Sequence, residues 1–131
     1  MLWAYLLTLP VMAVLDLLWI GVLMKSFYFS RLGFLLSGAI RPIPAVLFYF
    51  LFVAGIFYLA VVPAHAVGSL HKALLSAALL GVVAYGTYDL TNMATIAQWP
   101  LAVTVIDIAW GAVISALTAA AAYWLLTVFG A

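Results

Sequence analysis

The chain has 131 residues, of which 71% are hydrophobic and only 5% charged, with a formal net charge of +1 and no cysteine. A water-soluble fold has to clothe itself in polar side chains, so this composition excludes a soluble domain and makes lipid the solvent for most side chains. It also excludes a disulfide framework, a thiolate metal site and the basic footprint of a nucleic-acid-binding protein.

A bilayer crossing needs about 20 mostly apolar residues. Four segments meet that length: 2–24, 43–63, 72–95 and 100–128. Their runs are rich in Ala and Leu and far exceed the length of a barrel strand, so they read as helices. The first has no basic segment before it and carries Asp16, unlike a cleaved signal peptide. The expected fold is a single all-α domain over 1–131, a four-helix transmembrane bundle.

The breaks between spans are chemically distinct. Residues 25–42 hold Lys25, Arg31 and Arg41, three of the four cations, and end in Arg41-Pro42-Ile43-Pro44, which stops one element and starts the next. The stretch SFYFSRLGFLLSGAI at 26–40 is aromatic and apolar, fitting a short helix or re-entrant turn in the interface. A sharper expectation is a lid that brings Arg31 or Arg41 to an acid as charge partner. Pro63 to Ser69, with Gly68, makes the second connection, and Gln98-Trp99-Pro100 the third. The cation bias places 25–42 in the cytoplasm and both termini on the outer side. Trp3, Tyr5, Tyr58, Tyr123 and Trp124 then fall at the outer interface, Tyr28 and Trp99 at the inner one.

The acids carry most of the information. All three are aspartates, Asp16, Asp89 and Asp107, and each lies inside a span, where an ionised side chain costs roughly 3 kcal/mol. From their distances to the span ends, at 1.5 Å per residue, they lie about 13, 9 and 12 Å deep in the same half of the bilayer. Side chains three and four apart share a helix face. Asp16 therefore sits with Met12 and Trp19, Asp107 with Thr104, Trp110 and Gly111, and Asp89 with Tyr85, Gly86 and Asn92. D-x-x-W occurs twice, as DLLW and DIAW, and YGTYDLTN at 85–92 closes the apolar run LLSAALLGVVA. The candidate set for a ligand or protons is thus Asp16, Asp89, Asp107, Trp19, Tyr85, Tyr88, Asn92 and Trp110. Acids in one layer titrate together, and indole and phenol faces attract a cation. Thr87 and Thr91 are further hydrogen-bonding candidates. Asp107, Gly111, Ser115 and Thr118 form a small-polar stripe that suits close helix packing, within a homodimer or a larger membrane complex.

Other chemistries have thinner support. His65 and His71, six apart in a connection, lack a nearby acid, so no metal is expected. No Cys, spanning His, phosphate loop or nucleophile–base pair is present, and no cofactor is expected. Three functions stay open: a small-molecule binding protein or proton-coupled transporter for a small cationic or apolar ligand, an accessory or assembly subunit of a membrane complex, and a membrane-embedded enzyme acting on a lipid-like substrate. The enzyme reading is the weakest.

Two resemblances accompany these readings. LDLLWIG, AVLFYFLFVAGIFYLAVVPA, LLGVVAYGTYDLTNMATIAQWP and VTVIDIAWGA together resemble a bacterial family of small membrane proteins, the domain of unknown function 2177, over nearly the whole chain. That resemblance implies a four-helix protein of the bacterial inner membrane with Asp16, Asp89 and Asp107 at motif positions, and implies no activity. VLDLLWIGVLMK, with an acid about two turns before a Lys, is similar to the first helix of the small multidrug resistance transporters, and Ala84, Tyr85 and Tyr88 are similar to part of their third. Those are four-helix proteins that dimerise. The present chain departs from them in its three acids, its longer 25–42 connection and its YDLTN element.

Overall fold

The computed structural model of the protein describes residues 1–36 and 41–129. Among these, four helices are long and apolar enough to cross a membrane: α1 (Leu2–Leu23), α3 (Pro42–Ala66), α4 (Leu70–Thr95) and α5 (Leu101–Phe129). A short helix, α2 (Lys25–Leu32), follows α1 directly. No strand occurs among the described residues. Residues 37–40 of the expected interfacial stretch lie outside the described residues.

The helix ends follow the local chemistry, with two departures from the sequence reading. Pro42 opens α3 behind an extended Arg41, as expected of a proline in a first turn. Pro63, however, does not end α3. A wide π-helical turn at Ile56–Val61 precedes it, and the helix continues to Ala66. Proline cannot donate to the carbonyl four residues back and its ring crowds that turn, so a locally wider winding accommodates it. The connection therefore shrinks to Val67–Ser69. Gly68 takes a φ of +68°, a left-handed conformation suited to glycine, and the Ser69 hydroxyl caps α4 by accepting from the Lys72 N–H at 3.1 Å. In consequence His65 and His71 sit on helices, and His65 meets the Thr127 hydroxyl at 3.1 Å.

In hydrocarbon the hydrophobic effect does not hold helices together; close van der Waals packing does. Leu51, Leu23 and Ile43 are more than 70% exposed on the lipid-facing surface. The interior instead relies on small residues where α4 meets α5. A Cβ on Gly81 would collide with the Gly111 carbonyl and the Ser115 hydroxyl, and one on Gly111 would enter the Tyr85 ring. The small-polar stripe of α5 is thus occupied within the chain by α4. That removes the reason for assigning it to a dimer.

Larger side chains fill the bundle toward the chain termini: Met12 from α1, Val53, Ile56 and Phe57 from α3, and Ile114 from α5 are fully buried. A smaller cluster of Tyr28, Trp99 and Val103 closes the other end. Tyr28 and Trp99 are buried in it, because α2 folds against the bundle with Tyr28 inward. The candidate site lies between these two clusters.

Candidate functional site

Asp16 and Asp107 both line a cavity of about 440 Å³. Aromatic rings from five helices make up most of its wall: Trp19, Tyr28, Phe48, Tyr85, Tyr88 and Trp110. The geometry originates in the repeated D-x-x-W. Each motif places its acid and its indole one turn apart on a single face, and α1 and α5 pack with those faces together. Trp19 and Trp110 stack with ring centroids 4.3 Å apart and planes at 4°.

The indole N–H groups then cross over. Trp110 Nε1 donates to Asp16 Oδ1 at 3.2 Å. Trp19 Nε1 donates to the Tyr28 hydroxyl at 3.0 Å, and that hydroxyl donates to Asp107 Oδ1 at 2.7 Å. Tyr49 completes the Asp16 shell, donating to Oδ2 at 2.8 Å. Each acid on the cavity wall is therefore held by a phenol, and an indole supports it directly or through that phenol. Burial pushes the Tyr28 phenol well above its ordinary range, and the hydrogen bond to Asp107 adds to the effect, so Tyr28 remains a donor.

Asp89 is arranged differently. It is 0% exposed, and no N–H or O–H of the described residues donates to either carboxyl oxygen. Its carboxyl lies within hydrogen-bonding reach of that of Asp107, with Tyr28 and Tyr88 nearby. Asp16 and Asp107 thus line the cavity, while Asp89 lies beside Asp107 and outside the lining. No group of three or more His, Asp or Glu side chains gathers to suit a metal among the described residues. Of the three, only Asp89 is buried; Asp16 and Asp107 are half-buried at the cavity.

The remaining candidates separate cleanly. Tyr85 and Tyr88 line the cavity, and Tyr88 also stands edge-on to Trp99 at 5.9 Å. Asn92 lies outside it, within reach of the Tyr88 hydroxyl. Thr87 and Thr91 face outward and donate to carbonyls of their own helix, Thr87 to Val83 and Thr91 to Thr87 and Tyr88. Hydroxyls in lipid have no water to bond, so backbone carbonyls take them. Arg31 reaches no acid: it is exposed, with its guanidinium 4.3 Å from the centre of the Phe27 ring. Arg41 is exposed at the start of α3. The part of α2 that meets an acid is Tyr28.

Tyr49, Phe48 and the inward role of Tyr28 escaped the sequence reading. A signal existed for Tyr49. Apart from Tyr58 it is the only hydroxyl of the apolar run in α3, and a hydroxyl in lipid needs an acceptor.

A second cavity, of about 490 Å³, adjoins the first under α2 and shares Ile20, Tyr28, Tyr88 and Asp107 with it. Lys25, Phe29 and Leu36 also line it. The π-helical turn Trp19–Leu23, closed by the Met24 N–H on the Trp19 carbonyl at 2.7 Å, contributes Ile20 and Gly21 to it. Such turns recur at functional sites.

No curated protein and no solved structure matches the chain. The model of the family described as predicted membrane protein (DUF2177) matches residues 1–124, and with four apolar helices spanning nearly all of that length the chain belongs to this family of membrane proteins.

Proposed function

We propose that the protein binds a small organic cation in the cavity between Asp16 and Asp107 and carries it across a bacterial inner membrane in exchange for protons. The observation that carries this reading is the composition of one cavity wall, which two carboxyls and six aromatic side chains share. Its volume falls in the range of small-molecule sites. Tyr28, Tyr49, Trp19 and Trp110 already direct their donors at an acid or at a phenol serving one. A ligand thus meets π faces and carboxylate lone pairs, which favour a cation over an anion. By the bias of Lys25, Arg31 and Arg41, the α2 end faces the cytoplasm.

The test uses purified protein in detergent with tetraphenylphosphonium and, as the anion of matching shape, tetraphenylborate. Saturable binding of the cation alone is expected, with at least roughly a tenfold loss of affinity in Asp16→Asn. Proteoliposomes with an outward-directed proton gradient should accumulate the cation. Equal affinity for both ions, or none for either, would refute the reading, and a stable partner co-purifying in mild detergent would then favour an accessory subunit.

A further inference from the structure

We infer that Asp89 and Asp107 form a proton-binding pair, distinct from the cation-holding Asp16, in which one proton lies between the two carboxyls and leaves when a cation enters the cavity beside Asp107. The inference rests on the cation-binding reading and assigns different work to its acids.

The starting point is Asp89. A carboxyl with no exposed surface and no N–H or O–H donor is the most costly kind of group to bury. Asp16 shows what a satisfied acid looks like here, with one donor on each oxygen. Asp89 has instead another carboxyl within hydrogen-bonding reach. Two ionised carboxylates cannot share such a site, whereas one proton between them makes a donor of one and an acceptor of the other. The proton supplies the bond that the surrounding side chains do not.

The groups directly against the pair are phenols rather than cations. The groups facing the pair are Tyr28 from α2, Tyr88 from Asp89's own helix and, toward Asp107, Tyr85. All are phenols; Asp16 lines the first cavity with Asp107, and Lys25, the one cation among the described residues that borders either cavity, lines the second. Tyr28 donates to Asp107 at 2.7 Å, which stabilises one negative charge on the pair and falls short of two.

A cation in the cavity changes this balance, because Asp107 lines the cavity and Asp89 does not. Positive charge beside Asp107 stabilises the second ionisation. The proton leaves the pair as H⁺ to bulk water, and the carboxyls remain as two carboxylates facing one cation. The total charge of the site changes little, so the exchange is close to electroneutral within the membrane. Asp107 also borders the second cavity, toward the polar end of the bundle, which offers the proton a route.

Two measurements test the pair. Infrared spectra of the unliganded protein at neutral pH should show the C=O stretch of a protonated carboxyl, shifted in D2O, absent from Asp89→Asn and moved in frequency in Asp107→Asn, where the carboxylate that accepts the shared proton is gone. Titration calorimetry with tetraphenylphosphonium in two buffers of different ionisation enthalpy should show release of about one proton per cation bound, with affinity rising roughly tenfold per pH unit while the pair titrates. Asp89→Asn should still bind the cation, with no proton release and no pH dependence.

The outcomes separate the two readings. Absence of the infrared band from the unaltered protein, or cation binding without proton release, overturns the pair and leaves the cation site standing. A band without any cation binding removes the proposed function and keeps the shared proton. Should Asp89→Asn fail to fold, the band in the unaltered protein and its fate in Asp107→Asn still decide the matter.

Discussion

The indole of Trp19 lies flat on that of Trp110, 4.3 Å between centroids, and each of these rings serves the acid that the other helix carries. Trp110 donates to Asp16, while Trp19 reaches Asp107 through the Tyr28 hydroxyl. Two copies of D-x-x-W thereby become a single unit with a two-way exchange of donors.

Replacing Trp110 with Phe should therefore do two things. It keeps a stacked ring but removes one of the two donors to Asp16, and a phenyl face attracts a cation less than an indole face does. A loss of about 1–2 kcal/mol in binding tetraphenylphosphonium is expected. Calorimetry on Trp110→Phe and Trp19→Phe checks it, and unchanged affinity in both variants would detach the stacked pair from the ligand.

The close approach of α4 and α5 makes a prediction about stability. Adding one methyl at Gly81 drives it into the Gly111 backbone, which has no side chain to move aside. Overpacking of this kind costs about 1–3 kcal/mol. At Gly111 the added methyl meets the Tyr85 ring, which forms part of the cavity wall. Gly81→Ala should lower the thermal midpoint in detergent. Gly111→Ala should lower cation affinity as well, because Tyr85 has to swing to relieve the clash.

Much of this architecture was legible in the sequence because lipid imposes lengths. Four apolar runs bounded by Pro, Gly and cations leave few alternatives to four helices, and the spacing of Asp16 with Trp19 and of Asp107 with Trp110 fixes their shared faces. The failures have physical causes. Pro63 was read as a helix end because a π-helical turn ahead of it leaves no mark in composition. Depth along a helix gives height but not azimuth. Spacing alone therefore brings the three acids to one level without dividing them between the cavity wall, which Asp16 and Asp107 line, and the interior, where Asp89 is buried. The donors that settle Asp16 come from other helices, and the hydroxyl of Tyr49 in FYFLF signals a need for an acceptor without naming Asp16 as that acceptor.

Tyr49 offers a test of how Asp16 is held. Tyr49→Phe removes the 2.8 Å donor to Oδ2 while keeping the ring. A hydrogen bond to a charged group contributes about 1.5–3 kcal/mol. If Asp16 is ionised when it holds the cation, losing this donor leaves its charge more available to the ligand but less fixed in place. Cation affinity in Tyr49→Phe should change by no more than roughly tenfold, while the protein loses thermal stability. Asp16→Asn should abolish most binding with a smaller effect on stability, since the amide oxygen still accepts from Trp110 and the amide N–H can donate to the Tyr49 hydroxyl. The reverse pattern would make Asp16 a structural anchor.

The interfacial helix gives the sharpest contrast, because Tyr28 and Arg31 lie three residues apart with opposite fates. Tyr28 is 4% exposed and links Trp19 to Asp107, whereas Arg31 rests on Phe27 at the surface. Tyr28→Phe leaves the Trp19 N–H and Asp107 Oδ1 without their shared partner, in a place where water is scarce. It should destabilise the protein by about 1–3 kcal/mol and open the wall between the two cavities, which raises the exchange rate of bound cation. Arg31→Ala removes a cation–π contact at an exposed site, worth about 0.5–1 kcal/mol, and should leave cation binding unchanged. Stopped-flow dissociation of tetraphenylphosphonium from the two variants measures the contrast. Equal dissociation rates would mean that α2 acts only as a surface anchor and that Tyr28 does not separate the cavities.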